Sequence, residues 1–419
     1  MFERIKDAVM PHLFDGVRLA LLAGLLPASI GGAFASCNPF CPVSEWPQER
    51  FSAEGTNFNS NENALRWNTF PAAIQKWSVP LAHPYTASGL AVANNTVYVN
   101  DGGKLMAIDL QSGSIKWSLL GFTTAPSLDG GHLYGGISAY GPSVLYAFDA
   151  ATGAGIGIID SVSVQYAPVV AGGVVYGVTT DGHLVADYPS GGRLWSTSAV
   201  DPYPTTSRKI AVGSGKIFRV YRSSGTRWMA EARDMTTGEL AWSTVIAPDI
   251  GPRLASSPTY VGDAHGGSVY VVMDYPVGGR LIRLRAVDGS VSSLIEGVTG
   301  DAAFGIANGV IVANMETAVV SQFVEAIDIN SGHVLWSQPL GFQTWGQEIT
   351  LAGDAVIVCD QPNVNLPGNL RVWSIATGAP PPASLSQWPD QKCRHKPVVA
   401  GGKVIFVDPL SSQLRAWGP

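Results

Sequence analysis

The pattern Ala-x-Asp-x-x-Ser/Thr-Gly-x-x-x-Trp recurs with every named position filled at Ala107 to Trp117, Ala232 to Trp242 and Ala326 to Trp336. Three complete copies in one chain restrict it to a repeat architecture. Partial copies lie between them: Asp149, Thr152 and Gly153 without the Trp, then Asp187, Ser190, Gly191 and Trp195. A shortened copy, Ala286-Val287-Asp288-Gly289, and a worn one at Ser374 to Gly378 complete the series. Pairs of apolar runs joined by Gly/Asn/Asp turns precede the copies: LAVANNTVYV, APVVAGGVVYGV, ITLAGDAVIV and KPVVAGGKVIFV. Each unit reads as three strands with hairpin turns, then an Asp/Ser-Gly turn into a fourth strand ending near Trp. A four-stranded antiparallel sheet recurring about every forty residues has the spacing of propeller blades, which bury their faces against one another.

Units start near residues 88, 124, 166, 206, 255, 302, 346 and 395. The predicted fold is all-β: an eight-bladed β-propeller of four-stranded antiparallel blades. The last unit reaches Pro419 before any fourth strand. Ala73-Ile74-Gln75-Lys76-Trp77 resembles Gly113-Ser114-Ile115-Lys116-Trp117 yet follows nothing that looks like the rest of a blade. This N-terminal strand is therefore expected to close the last blade and to remove two exposed sheet edges.

The repeated residues have expected scaffold roles. Gly113, Gly153, Gly191, Gly238 and Gly332 tolerate positive φ in the turn. Asp109, Asp149, Asp187, Asp234 and Asp328 offer carboxylates to turn amides. Trp77, Trp117, Trp195, Trp242 and Trp336 each bring a large apolar face and one N–H donor to the joint between blades.

Three domains follow: a leader over 1–35, a Trp/Pro/Asn-rich lead over 36–70 and the propeller over 71–419. Arg4, Lys6 and Arg18 precede the apolar run Leu19 to Ala35, which ends Ala33-Phe34-Ala35 as a signal peptide does, with Pro27 interrupting it. The reading is an exported protein, periplasmic or extracellular, with no membrane span in the mature chain. A formal charge of -6 does not favour a nucleic-acid surface. The four cysteines, Cys37, Cys41, Cys359 and Cys393, permit three pairings in an oxidising compartment. Cys37–Cys41 with Cys359–Cys393 is the preferred set, and a lipid anchor at Cys37 is the alternative.

The motif resembles the tryptophan-docking repeat of the pyrroloquinoline-quinone (PQQ)-like propeller family, the quinoprotein alcohol dehydrogenase-like fold. The lead agrees: Glu45-Trp46-Pro47-Gln48, then Asn57-Phe58-Asn59 and Asn61-Glu62-Asn63, is similar to the segment preceding the first strand in that family. The resemblance spans 45–419 and implies one of two occupations. Dehydrogenases of the family hold PQQ and calcium, with an active-site Asp and adjacent cysteines. This sequence has no adjacent cysteine pair and no Cys-x-x-Cys-His haem motif. The other branch, that of an outer-membrane assembly lipoprotein, is a non-catalytic platform. We therefore expect a binding scaffold of the cell envelope without cofactor, its partner an envelope or extracellular protein or a small polar ligand. A PQQ- and calcium-dependent oxidoreductase and a carbohydrate-associated module are the alternatives. Residues expected around the channel mouth, where first strands begin, are Asp301, Trp345, Gln347, Glu348, Arg394 and His395. The longer segments Tyr221 to Trp228 and Asp274 to Arg280 are a second candidate surface.

Overall fold

The computed structural model describes residues 44–419, apart from 139–142, 162–163, 165, 200–208, 224–226, 248–254, 274–278, 299–303, 317–321, 341–348, 361–365 and 383–390. Among the described residues the sole helical element is the 3-10 turn Phe70–Ala72; the rest of the regular structure is strand.

Four sheets of four antiparallel strands follow in chain order. The first holds Ser88–Ala93, Thr96–Asp101, Lys104–Asp109 and Ile115–Leu120, and the second Ser127–Asp129, His132–Ile137, Val144–Asp149 and Gly155–Asp160. The third comprises Val169–Ala171, Val174–Val178, Leu184–Asp187 and Arg193–Ser196, and the fourth Ile210–Gly213, Lys216–Arg222, Trp228–Asp234 and Leu240–Ala247. A fifth sheet joins the strands from Thr259–Val261 to Val291–Val298 to those from Phe304–Ala307 to Val334–Pro339, through the single pair Val298↔Met315. The sixth runs from Ile349–Ala352 through Lys392–Ala400, Lys403–Asp408 and Gln413–Gly418 to Ile74–Pro80. Ile74–Pro80 pairs antiparallel with Gln413–Gly418, from Ile74↔Gly418 to Pro80↔Gln413. A segment near the start of the described chain thus supplies the outer strand for the final hairpin.

The repeat residues explain how sheets join. Within a sheet, Ala107, Ala186, Ala232 and Ala326 face Trp117, Trp195, Trp242 and Trp336 across the last strand pair, and the register shifts directly after each alanine. The Trp side chains then reach the next unit. Trp77 Nε1 donates to Leu110 O at 2.8 Å, Trp117 to Ala150 O at 3.1 Å and Trp195 to Met235 O at 3.2 Å. Trp242 donates to Ala286 O at 2.9 Å and Trp336 to Ile375 O at 2.7 Å. In each case the acceptor directly follows the turn's Asp, or the residue in its place. The indole lies on the turn glycine: a Cβ on Gly113, at φ 73°, would stand 2.7 Å from Trp77. Any side chain there would be both strained and in collision.

The turn aspartates divide into two groups. Asp109, Asp149, Asp234 and Asp328 each accept turn amides through Oδ1, for example from Ser112 N at 2.9 Å and Ser331 N at 2.7 Å. The Ser112 amide leads the causes that hold Asp109 down at about 2. Asp187 departs from its expected place in this set. It is 1% exposed, and its Oδ1 accepts from Arg193 Nε at 2.6 Å. Burial, against the pull of Arg193, pushes it up to about 6. The physical reason is local: Pro189 stands where Gln111, Thr236 and Asn330 donate an amide to the turn Asp, so that donor is missing, and Arg193 follows.

Candidate functional site along the first strands

Each sheet's first strand leaves one edge unpaired, and residues 44–62 run along those edges in chain order. Trp46 exchanges both backbone hydrogen bonds with Val92, and Pro47 O accepts from Leu128 N. Gln48 closes a side-chain clasp on Val170, its Nε2 donating to the carbonyl at 2.9 Å and its Oε1 accepting from the amide at 3.2 Å. Ala53, Glu54 and Thr56 carbonyls accept from Val212, Tyr260 and Ile306. Phe58–Asn59 then pairs parallel with Leu351 and Ala352. Finally Asn59 Nδ2 donates to Val399 O at 2.7 Å, and Glu62 Oε2 accepts from Gly402 N at 3.1 Å. One segment therefore bonds to the first strand of every set of hairpins.

The side chains of Gln48, Asn57, Asn59 and Glu62 are buried and satisfied, as burial requires. Asn59 is 0% exposed and donates also to Ser44 Oγ and Glu45 O. Glu62 accepts from Ser44 Oγ and from the Ala64 and Leu65 amides. Asn57 Oδ1 takes Lys396 Nζ, which lies 5.0 Å over the Trp46 ring and donates to Glu49 O at 3.2 Å. Lys209 Nζ meets Glu49 Oε1 at 2.9 Å. Burial raises the Glu49 carboxyl, but Lys209, Lys396 and Arg50 together hold it below its ordinary value. Arg50 donates to Pro258 O at 2.7 Å and to Thr259 Oγ1. Gln48, Glu49, Arg50, Ser52, Pro168 and Lys209 line a shallow cleft. Three cations thus surround one carboxylate where several first strands begin.

Of the expected mouth residues, Asp301, Trp345, Gln347 and Glu348 lie outside the described residues. Arg394 and His395 are brought together with Tyr85. Pairing skips from Arg394↔Val407 to Val398↔Ile405, and His395 in this bulge has φ 62°. The Arg394 guanidinium stacks 4.9 Å from the Tyr85 ring, and His395 Nε2 lies 3.2 Å from Tyr85 O. Arg394 Nη1 is buried with no hydrogen-bond partner among the described residues. Asp101 holds the loop carrying Tyr85, accepting from the Ala82 and His83 amides at 2.7 Å. The arrangement sets the Arg394 guanidinium, its Nη1 buried and its Nε donating to His395 Nε2, against the exposed Tyr85 ring.

Cys359 and Cys393 form a disulfide with Cα atoms 5.8 Å apart, fixing the strand that carries Arg394 and His395. Cys37 and Cys41 lie outside the described residues, as do 224–226 and 274–278 within the two longer segments. Sequence reasoning missed Glu49, Arg50, Lys209 and Lys396. The available signal was an x-Pro step just before first strands, at Ala125-Pro126, Ala167-Pro168 and Ser257-Pro258, repeated inside the strand Lys392–Ala400 as Lys396-Pro397.

A family model described as outer membrane protein assembly factor BamB matches residues 66–293 and 187–418. No curated protein matches the sequence. The solved structure of BamB from Moraxella catarrhalis superposes with a TM-score of 0.58 at 16% identity, covering 83% of this chain and 100% of that one. The quinohemoprotein alcohol dehydrogenase ADHIIG of Pseudomonas putida HK5 superposes with a TM-score of 0.65 at 12% identity, covering 90% and 80%. That of Comamonas testosteroni gives 0.61 at 14% identity, covering 81% and 73%. At such identities the likeness is one of fold.

Proposed function

The chain belongs to the PQQ-like β-propeller family described as outer membrane protein assembly factor BamB, and from that premise we propose that it is an exported, non-catalytic binding scaffold of the cell envelope. In this reading the sheets are eight blades of one ring, closed where Ile74–Pro80 completes the last blade and Trp77 docks on the first. The face around Arg394, His395 and Tyr85 receives a partner protein or a small polar ligand.

The observation that carries this reading is the lead segment. Gln48, Glu49, Asn57 and Asn59 spend their polar groups on first strands and on Lys209 and Lys396, and in this reading they make the ring's centre one built from protein. The reading expects neither a quinone nor calcium. Among the described residues no three His, Cys, Asp or Glu side chains gather as a cation cage, and the sequence has no adjacent cysteines. Burying the charge of Lys396 and half-burying that of Glu49 requires partners, and lead and strand supply them.

The test is retention of envelope proteins from detergent extract on the immobilised mature protein, compared with Arg394→Glu and His395→Ala. A partner held by the wild type and lost with Arg394→Glu is the expected outcome. Identical retention by all three proteins would remove this face from the account.

A further inference from the structure

We propose that Lys392 and Arg394, with Tyr85 and Leu410 beside them, form a docking site for an extended acidic segment of a partner protein, whose carboxylates pair with the two cations. The inference deepens the scaffold reading of this face and rests on it.

Charge is the first observation. Arg415 pairs with Asp408 at 3.0 Å, Arg371 with Asp360 at 3.3 Å and Arg219 with Glu231 at 2.6 Å. Arg394 is half-buried, yet among the described residues no carboxylate stands within ion-pair distance of it. Its Nη1 is buried and its Nε donates to His395 Nε2 at 3.3 Å, so Nη2, which is not buried and donates to no described residue, is the nitrogen a ligand can reach. Lys392 lies two positions earlier and therefore on the same side of the strand. It donates to the neutral Asn369 Oδ1 at 2.6 Å and likewise has no carboxylate partner among the described residues. The acids on the adjoining elements are occupied: Asp101 accepts the Ala82 and His83 amides, and Asp408 holds Arg415. A half-buried charge calls for a counter-charge, and here the chain does not supply one.

Shape and rigidity specify the occupant. The bulge after Arg394, with His395 at φ 62°, aims the guanidinium at Tyr85, and the Cys359–Cys393 bridge fixes the residue between the two cations. The loop carrying Tyr85 is tied down as well, because the Thr86 and Ala87 amides both donate to His83 O, at 3.0 and 2.8 Å. Tyr85 is 45% exposed. Leu81 N donates to Ser412 O at 2.8 Å, which sets the turn after Asp408 against this loop, and that turn carries Leu410, 62% exposed. A site ordered before its ligand arrives loses little entropy on binding. Cations at alternate positions of a strand are about 7 Å apart, the spacing of alternate side chains in an extended partner. One guanidinium edge and one ammonium in line suit two separate carboxylates, whereas a phosphate would need several donors converging on one point. Apolar residues flanking the acids would cover Tyr85 and Leu410.

The probe is the peptide acetyl-GLSESESLG-amide, which places Leu, Glu, Glu and Leu on one side when extended, titrated into the purified mature protein by calorimetry. Saturable binding is expected, weakened about 10-fold when both Glu are replaced by Gln, and weakened about 10-fold by Arg394→Gln in the protein. The two changes are not additive: against Arg394→Gln, the Gln peptide binds within about 2-fold of the Glu peptide, a coupling that a merely structural role for Arg394 does not produce. Arg285→Gln, which removes an exposed pair with Asp288 on another sheet, leaves binding unchanged. Should Arg394→Gln fail to fold, Lys392→Gln and the two peptides on the wild type still decide the matter. Equal binding of the Glu and Gln peptides would overturn the proposal. So would competition by inorganic phosphate at lower concentration than by acetate, which assigns the cations to a phosphate, and so would free glutamate competing as well as the peptide, which assigns them to a small ligand. If the peptide does not bind while an envelope protein is still retained by the wild type and lost with Arg394→Glu, the acidic-segment inference falls and the scaffold reading stands.

Discussion

Replacing Trp336 with Ala measures how much the Trp–Gly joints contribute to holding the sheets together. Trp336 is 9% exposed and packs with Val324, Leu340, Leu351 and Trp373 in one cluster, while its Nε1 donates to Ile375 O at 2.7 Å. Loss of transferred surface and the cavity left behind together cost about 3–5 kcal/mol. The Ile375 carbonyl also loses its donor, for about 1 kcal/mol more. Trp336→Phe separates these parts, because it keeps most of the ring and loses the N–H; about 1–2 kcal/mol is expected. Trp117 is only partly buried, so Trp117→Ala should cost about half as much as Trp336→Ala. The assay is urea unfolding followed by tryptophan fluorescence and far-ultraviolet circular dichroism, with coincident transitions licensing the free energies. A Trp336→Ala cost below about 1 kcal/mol would refute the joint as a stabilising contact.

Three further outcomes follow from named contacts. Asn59→Leu should cost about 3 kcal/mol by the same unfolding assay, because Ser44 Oγ, Glu45 O and Val399 O all lose one buried donor. Replacing Cys359 and Cys393 together by Ser should cost about 3–4 kcal/mol, since the bridge closes a loop with a separation of 34 residues; an unchanged midpoint would contradict this. Asp187 stands at about 6 in the folded chain against an ordinary 3.8, so the unfolded chain loses this proton first. Stability from this group is therefore greatest below pH 4 and falls as pH rises to 6, by up to about 3 kcal/mol. Asp187→Asn should flatten that slope in pH-dependent unfolding, and an unaltered slope would show that another group carries it.

The repeat was legible because the same residues solve the same steric problem several times. An Ala facing a Trp, an Asp capping a turn and a Gly beneath an indole leave a fixed spacing that one sequence reveals. The pairing of Ile74–Pro80 with Gln413–Gly418 was legible for a related reason, since Ala73 to Trp77 carries a fourth strand's pattern with no blade in front of it. The lead was read only as a preface. Its contacts are backbone groups and amide or carboxylate side chains spread over the first strands, and such bonds leave no periodicity. Lys209 and Lys396 were invisible for the same reason, because only the fold brings them to Glu49. Asp187 shows the opposite failure: its spacing matches the turn motif, yet Tyr188-Pro189 and Arg193 give its carboxylate a different partner.

The central claim, a propeller whose centre is built from its own lead and which binds partners rather than a quinone, is tested most directly by titrating the purified mature protein with PQQ and Ca²⁺. Absorbance and calorimetry report binding, with alcohol-dependent dye reduction followed in parallel. The account predicts no saturable binding and no dye reduction. Saturation near one equivalent, accompanied by alcohol-dependent reduction, would contradict it.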